Sequence, residues 1–338
     1  MRAATVCAAV LTLAATFAVE ARTPVRSTSA RSAASSRAAA KAPAKSSAKA
    51  PAQHQNPYRR SPYVGALVFD AASGQILFSD RADARAYPAS VTKLMTAYLV
   101  LDEVKAGRVR LTDVVAASPT ATREDVWLRQ PSCTGLRTGA QMTVDELLKA
   151  LMVNSANDAA IFLAERCCGS REAFVAKMNE KARALGMTQT AYYNPNGLPP
   201  APTAKERKFN VSTCNDLAKL ARGLLRDHPG ILRYTSLKVW KPTCVGKPLT
   251  DAKGNQITWV NHNNVMVKNK LKVINPDGSE AADGLKTGYI DAGGSSVILT
   301  GTRKGRRAVV IVLGSASAAE RDENARRMLT DALDSFSF

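Results

Sequence analysis

Strand-forming runs lie near both ends of this chain, and the sequence between them has helical periodicity. The strand-forming runs are Val64 to Asp70, Gln75 to Ser79, Ser296 to Thr302 and Ala308 to Leu313. Turn residues separate the members of each pair, Ser73-Gly74 in the first and Lys304-Gly305 in the second. Each pair therefore predicts a β-hairpin. Because a hairpin has to bury one face, we predict that both hairpins join in one sheet.

Helical spacing of apolar residues in the intervening sequence predicts what packs on this sheet. It is found over Ser90 to Val104, after the capping box Thr143-Val144-Asp145-Glu146, between Ser170 and Gly186, and from Leu217 to Leu225. A closing helix is predicted over Ala319 to Phe336. The predicted fold class is therefore α+β with three layers, α/β/α. Its mostly antiparallel sheet is built from N- and C-terminal strands, with an inserted helical cluster and no internal repeat.

The first 60 residues differ from the rest in composition. Met1-Arg2, an apolar run and Val19-Glu20-Ala21 are typical of a secretory signal peptide over residues 1–21. Residues 22–60 are mostly Ala, Ser, Pro, Lys and Arg, which predicts a disordered basic linker because few side chains can be buried. Residues 61–338 are predicted to form one folded domain. We expect an exported protein of the periplasm or cell-wall space; whether the signal is cleaved or retained as an anchor stays open.

Positive charge and cysteine content limit the partners and cofactors. The net charge is +19, and the linker contains nine Lys and Arg residues and no acid. This charge favours either solubility or association of the basic tail with an anionic wall or membrane surface, whereas export argues against nucleic acid. Disulfide pairing stays open among Cys133, Cys167, Cys168, Cys214 and Cys244. We predict no metal and no cofactor, because the cysteines and histidines lack the spacing of a zinc site.

Three short motifs carry groups that could form a catalytic site if the fold brings them together. They are Ser90-Val91-Thr92-Lys93, Ser155-Ala156-Asn157 and Lys286-Thr287-Gly288. Serine is a weak nucleophile until a base removes its proton. Lys93 lies one helical turn from Ser90 and can be that base if burial and neighbouring cations lower its pKa. The start of a helix also favours a developing oxyanion at Ser90.

The other two motifs offer a proton relay and sites for polar substrate groups. The Ser155 hydroxyl can pass on a proton, and the Asn157 amide can hold a substrate amide. Lys286 and Thr287 suit a strand edge that binds a carboxylate, where Gly288 lets the substrate backbone approach closely.

Each motif is weak when it is considered alone. Ser46-Ser47-Ala48-Lys49 in the linker has the same Ser-X-X-Lys spacing without an amphipathic helix. Ser155 and Asn157 also suit a helix cap, and Lys286 suits an ordinary basic edge strand. The three motifs in this order, each in a fitting local context, favour serine acyl transfer.

The chain resembles the serine penicillin-binding proteins, and within them the D-alanyl-D-alanine carboxypeptidases of low molecular mass. Four segments carry this resemblance over about residues 60–338: Pro88 to Thr96, Ser155 to Ala159, Asn194-Pro195-Asn196-Gly197-Leu198 and Asp283 to Tyr289. The resemblance implies a β-lactamase/transpeptidase-like fold. It also implies that peptidoglycan stem peptides are the substrates and that β-lactam antibiotics are covalent inhibitors.

The same resemblance implies roles for single residues. Ser90 is expected to attack the carbonyl between two D-alanines and form an acyl-enzyme, with Lys93 as base. Ser155 and Lys286 are expected to pass a proton to the leaving amine. The backbone N–H groups of Ser90 and Tyr289 are expected to form the oxyanion hole. The expected substrate-binding residues are Asn157, Lys286, Thr287, Gly288, Tyr289 and, for the terminal carboxylate, Arg321.

Two departures and three alternatives accompany this interpretation. The family often has an Asn-Arg-Asn run where this chain has Asn261-His262-Asn263, which puts one carboxylate contact in doubt, and Thr235 to Glu280 is longer than usual. A DD-endopeptidase would cut cross-links with the same residues. A class A β-lactamase needs a glutamate-activated water, and no glutamate between Asn157 and Lys286 lies in a recognisable loop of that type. A wall-binding or penicillin-sensing module without activity is the third alternative.

Overall fold

The computed structural model describes residue 56 and residues 58–122, 132–200 and 205–336. The predicted signal peptide, nearly all of the predicted linker and the Ser46 motif lie outside the described residues. No helix within the described ranges is both long and apolar enough to cross a membrane. The boundaries of the signal peptide, linker and domain therefore stay predictions.

The described residues begin with two strands, continue through a mainly helical middle that contains short strands, and end with three long strands and a helix. The strands are β1 (Gly65–Asp70), β2 (Ile76–Asp80), β3 (Val114–Ala116), β4 (Gln141–Thr143), β5 (Val239–Trp240), β6 (Thr243–Cys244), β7 (Lys247–Pro248), β8 (Trp259–Val260), β9 (Ala282–Ile290), β10 (Gly294–Arg303) and β11 (Arg306–Ser315). The helices are α1 (Lys93–Lys105), α2 (Pro119–Thr122), α3 (Val144–Met152), α4 (Asn157–Cys168), α5 (Arg171–Ala184), α6 (Cys214–Asp227), α7 (Leu232–Thr235), α8 (Asn264–Val267) and α9 (Ala318–Ser335). Short 3-10 helices cover Ala89–Thr92, Pro229–Ile231 and Asn269–Leu271.

The main sheet has five strands in the order β2-β1-β11-β10-β9. Every neighbouring pair is antiparallel, and Leu67 of β1 lies opposite Ile311 of β11. The two predicted hairpins thus meet through β1 and β11. The strand that carries Lys286, β9, lies at the edge of this sheet and pairs with β10 alone among the described strands.

Both faces of the sheet are covered, which confirms the predicted three-layer α+β fold. Alternate residues of β1 and β11 point to opposite faces, as the two-residue period of a strand requires. Leu67 and Ile311 pack against the inserted helices, whereas Val68 and Val310 pack against Leu329 on α9. The sheet is therefore the middle layer.

Among the described residues, sequence periodicity located α1, α3, α5, α6 and α9 but missed α4 and the short elements. The helix predicted from Ser90 begins as the 3-10 turn Ala89–Thr92 before α1. Thr143 caps α3 by accepting from the N–H of Glu146, as predicted, but the Glu146 carboxylate accepts instead from Trp240 Nε1. The strands β3 to β8 have two or three residues each and carry too little periodicity to be predicted. Cys167, Cys168, Cys214 and Cys244 are free thiols in the structure.

Candidate active site

Ser90 and Lys93 meet across the first turn of the helical segment that contains them. Lys93 Nζ lies 2.8 Å from Ser90 Oγ. It also donates to Asn157 Oδ1 at 2.8 Å and to the carbonyl oxygen of Asn196 at 2.7 Å. Two oxygens that can only accept thus hold two N–H groups of Lys93. When the amine is neutral, its lone pair is left to face the Ser90 hydroxyl.

The surroundings of Lys93 favour this neutral form. The side chain is fully buried, and burial followed by the charge of Lys286 holds the pKa of Lys93 well below its usual range. The carboxyl of Asp158 acts in the opposite direction. Burial wins because an ammonium group loses its water inside the protein. Lys93 is therefore equipped to accept the Ser90 proton.

The second motif lies on a tight turn between α3 and α4. Ser155 has a φ of +57°, in the left-handed region that non-glycine residues rarely adopt. The N–H of Ala156 donates to Ala150 O at 3.0 Å, and the N–H of Asn157 donates to Ser132 O at 2.9 Å. Such a conformation persists only where neighbouring contacts determine it, and it is frequent at functional sites. This turn places Asn157, the first residue of α4, so that its Oδ1 accepts a hydrogen bond from Lys93 Nζ.

The third motif lies on the edge strand β9, close to the segment before Ser90. A Cβ atom on Gly288 would lie 2.5 Å from Pro88 O and 3.0 Å from the Ser90 nitrogen. Only glycine fits this approach without displacing backbone. Burial, and then the charge of Arg321, lowers the pKa of Lys286 to about 7. Its Nζ donates to Thr287 O at 2.9 Å.

Tyr289 and Arg321 line the same cavity as the third motif. Tyr289 is exposed, and its hydroxyl donates to Asp291 Oδ1 at 2.7 Å. Arg321 lies in the first turn of α9, is buried, and donates to Asp322 Oδ1 through Nε and Nη2. Asn264 Nδ2 donates to the other oxygen of Asp322 at 2.7 Å. The guanidinium is thus held in place beside Lys286.

One cavity of about 600 Å³ gathers the predicted site residues. Its walls include seven of them: Ser90, Ser155, Asn157, Thr287, Gly288, Tyr289 and Arg321. Lys93 and Lys286 are buried behind these walls. The structure therefore brings the predicted residues together, although their roles stay predictions. Among the described residues, no group of His, Cys, Asp and Glu side chains could hold a metal.

The sequence analysis gave no structural role to three residues near Ser90 and Lys93. They are Asn196, Gly197 and Asp158. Asn196 supplies a carbonyl acceptor to Lys93, and its neighbour Gly197 has a φ of +83°. A Cβ on Gly197 would lie 1.9 Å from the Ala89 carbonyl oxygen. Asp158 accepts from both the N–H and the hydroxyl of Thr134 while it influences Lys93. The Asn-Pro-Asn-Gly-Leu segment drew attention to Asn196 and Gly197, but its position in the sequence did not indicate that they contact Lys93 and Ala89.

Comparisons with known proteins agree with this geometry. The family profile described as D-alanyl-D-alanine carboxypeptidase matches residues 55–317. D-alanyl-D-alanine carboxypeptidase DacC of Escherichia coli K12 is 32% identical over 270 residues, which cover 78% of this chain and 59% of the relative. A D-alanyl-D-alanine endopeptidase of Pseudomonas aeruginosa is 38% identical over 157 residues, covering 46% of this chain and 45% of the relative.

A solved structure extends the agreement to the fold. Penicillin-binding protein D2 of Listeria monocytogenes, in its ampicillin-bound form, matches with a TM-score of 0.63 and 28% identity. The match covers 80% of this chain and 98% of that one. The chain spans about three fifths of the length of the curated relatives it matches first.

Proposed function

Because this chain belongs to the D-alanyl-D-alanine carboxypeptidase family, we propose that it is a serine DD-carboxypeptidase. It hydrolyses the terminal D-alanyl-D-alanine bond of peptidoglycan stem peptides through an acyl-enzyme at Ser90. The observation that carries this proposal is the 2.8 Å contact between Ser90 Oγ and the buried Nζ of Lys93. A serine in contact with a buried amine whose neutral form is favoured, at the wall of a cavity, provides a nucleophile and its base.

The acylation step follows from the contacts of these residues. Lys93 takes the proton of Ser90 as Oγ forms a bond with the carbonyl carbon between the two D-alanines. The N–H groups of Ser90 and Tyr289 stabilise the negative oxygen of the tetrahedral intermediate. The carbon–nitrogen bond then breaks, and Ser155 together with Lys286 passes the proton held by Lys93 to the departing D-alanine, which leaves Lys93 neutral again. A pKa of about 7 suits Lys286 to proton transfer at neutral pH.

Deacylation and substrate positioning use the same cavity. Water attacks the acyl group with its proton taken by Lys93, and the bond to Ser90 Oγ breaks as the hydroxyl is restored. Asn157 holds the amide of the acyl side. Thr287 and Arg321 bind the terminal carboxylate, which Arg321 attracts by charge and by hydrogen bonding. A β-lactam has a comparable amide and carboxylate, so it is proposed to acylate Ser90 as a covalent inhibitor.

Labelling with penicillin tests this proposal. The protein is incubated with a labelled penicillin, and the modified residue is identified by mass spectrometry. The label is expected on Ser90 and is expected to be lost in Ser90→Ala, while Ser155→Ala retains folding with slower labelling. Absence of label, or label on another residue, would overturn the proposal. If the wild type has no activity and Ser90→Ala still binds cell walls, a non-enzymatic module would be favoured.

A DD-endopeptidase is the second candidate, because the Pseudomonas aeruginosa endopeptidase has the higher identity of the two relatives compared above. Purified muropeptides distinguish the two activities. A carboxypeptidase releases D-alanine from monomeric pentapeptides. Cleavage of cross-linked dimers with no loss of D-alanine from the monomers would replace the first candidate by the second.

Export and wall association complete the proposal. Residues 1–21 direct the chain to the periplasm or cell-wall space, where its substrate occurs. The basic residues of 22–60 associate with an anionic wall or membrane surface through charge. Sedimentation with purified cell walls at low and high salt tests this point, since electrostatic association weakens as salt increases.

A further inference from the structure

Four aromatic side chains lie beside the active-site cavity and form a surface that we call the aromatic rim. The rim consists of Tyr58, Tyr87, Tyr193 and Phe209. The rings of Tyr58 and Tyr87 stack with centroids 4.2 Å apart, and those of Tyr87 and Phe209 stack at 4.6 Å. Since Tyr87 is the middle ring, Tyr58 and Phe209 each have one face directed away from the stack. Tyr193 is 45% exposed, and its N–H donates to Oδ1 of Asn210, the neighbour of Phe209, at 2.7 Å.

Two segments connect the rim to the walls of the cavity. The turn between β9 and β10 follows the wall residue Asp291, and a Cβ atom on Gly293 in this turn would lie 2.8 Å from the Cβ of Tyr87. The second segment runs from Tyr193 to Leu198, which also lines the cavity. The rim therefore continues the cavity wall on this side.

The segment that precedes β1 is fixed against the same turn. Asn56 Nδ2 donates to Ala292 O at 2.8 Å. Arg59 donates to Ala316 O through Nε at 3.1 Å and through Nη2 at 2.7 Å. Tyr58 lies between these two anchored residues, and its ring is held on Tyr87. A side chain that is already ordered loses less conformational entropy when a ligand binds, so this ring is prepared for contact.

The proposed binding mode directs the stem peptide towards the rim. Five consecutive wall residues, Thr287 to Asp291, follow one another along β9 and into the turn after it. Thr287 is assigned above to the terminal carboxylate and the N–H of Tyr289 to the scissile carbonyl. The acyl side of the peptide therefore continues towards Asp291. It leaves the cavity at the turn against which Tyr87 packs.

The length of the stem peptide agrees with this direction. Four residues of a pentapeptide lie on the acyl side of the scissile bond, and four extended residues span about 13–14 Å. Tyr87 precedes Ser90 by three positions, so their Cα atoms are at most about 11 Å apart. A stem peptide bound at Ser90 thus brings the sugar that carries it within reach of the rim.

Aromatic rings suit sugars because their apolar faces pack against the C–H groups of a sugar ring, while a tyrosine hydroxyl can bond to its polar groups. We propose that the aromatic rim binds the glycan strand to which the stem peptide is joined, and that it selects glycan-linked pentapeptides over free ones. This inference rests on the proposed function, because the direction and the reach both assume a stem peptide in the cavity.

Two substrates that differ in their sugars test this inference. The value of kcat/KM for release of D-alanine is measured for a disaccharide pentapeptide and for an N-acetylated pentapeptide without sugars. A change in folding or in the position of Ser90 alters both values, so their ratio reports the sugar contact. The proteins are the wild type, Tyr58→Ala, Tyr193→Ala and the control Phe78→Ala. Phe78 is 41% exposed on β2, at the opposite edge of the sheet from β9.

The wild type is expected to prefer the disaccharide pentapeptide. Each rim variant is expected to lower this preference by about 3–10-fold, the usual effect of removing one aromatic contact. Phe78→Ala is expected to keep the wild-type ratio, since it lies away from the rim. A ratio that is the same in the wild type and in both rim variants would overturn the inference.

Binding of glycan strands without stem peptides separates this inference from the proposed function. Strands whose stem peptides have been removed are titrated into the wild type and the same variants, with urea unfolding as a check on folding. The wild type is expected to bind them, and the rim variants are expected to bind more weakly by a similar factor. If the wild type hydrolyses neither pentapeptide, the proposed function fails. The titration still decides about the rim, since equal binding by the wild type and both rim variants would contradict its role.

Discussion

The Ser90–Lys93 pair shows how a lysine, normally charged at neutral pH, can serve as a base. Removal from water is the largest cause of its lowered pKa, and the nearby charge of Lys286 adds to it. The acceptors from Asn157 and Asn196 then orient the amine. Burial favours the neutral form of the amine, and hydrogen bonds determine the direction of its lone pair.

Replacement of Lys93 by arginine tests this account at the residue scale. Arginine keeps the capacity to donate hydrogen bonds, but it does not lose its proton in proteins and so cannot act as a base. Lys93→Arg is therefore expected to lower the rate constant for penicillin acylation by about 10²–10⁴-fold, the usual contribution of a general base. Stopped-flow or quench measurements with labelled penicillin provide the rates.

Lys219→Arg is the matched control for this substitution. Lys219 lies on α6 outside the active-site cavity and pairs with Asp216. Its replacement is expected to leave acylation within about twofold of the wild type, as for a surface change away from the site. Rapid acylation by Lys93→Arg would show that another group removes the Ser90 proton.

At the scale of elements, the active site is the place where β9, the start of α1 and the Asn194–Leu198 segment approach one another. Gly288 and Gly197 permit the two approaches to the residues before Ser90, since a Cβ at either position would overlap a backbone oxygen. These glycines therefore link the position of Ser90, the proposed nucleophile, to elements distant in sequence.

Alanine at position 197 tests this link between elements. Gly197→Ala is expected to destabilise the protein by about 1–2 kcal/mol through its left-handed backbone and by about 1–3 kcal/mol more through overlap with Ala89. Because the overlap displaces the residue before Ser90, acylation by penicillin should slow as well. Urea unfolding and the acylation rate are measured together.

Gly186→Ala separates backbone strain from overlap. Gly186 has a φ of +72°, similar to that of Gly197, but a Cβ there would meet no atom within 4 Å. It is expected to show only the backbone cost and an unchanged acylation rate. If both variants lose the same stability and react equally fast, the contact between Gly197 and Ala89 does not position Ser90.

The same elements show what could be predicted from the sequence and what could not. Ser90 and Lys93 are three residues apart, so local helical geometry predicts their contact. Lys93 and Asn196 are separated by 103 positions, and their contact depends on long-range packing that periodicity does not encode. The sequence analysis missed the helix α4 because it interpreted Ser155 to Asn157 as a helix break. The break ends at Asn157, where α4 begins.

For the molecule as a whole, the predicted order of strand pairs and helices was enough to infer the three layers, because few arrangements bury a sheet built from both ends of a chain. Two buried lysines of the site, however, destabilise the folded protein. Lys93 and Lys286 are both almost fully buried, and each has a pKa below its usual range. Burial of such cations destabilises the folded state, so the catalytic arrangement lowers the free energy of unfolding.

Replacement of Lys286 by methionine tests this conflict between activity and stability. The folded-state pKa of about 7 lies below the value near 10.5 of an exposed lysine. Between these values the unfolded chain binds more protons than the folded protein, so the lysine's destabilising effect diminishes as the pH rises. Lys286→Met, whose side chain has no charge, is expected to be more stable than the wild type at pH 7 by about 2–4 kcal/mol. Its stability advantage should be smaller at pH 9.5, while acylation is slow at both pH values.

Urea unfolding of both proteins at both pH values measures this difference. Comparison at equal pH cancels the titration of groups that the charge of Lys286 does not influence. An advantage that is the same at pH 7 and pH 9.5 would mean that Lys286 is not a buried cation that destabilises the fold.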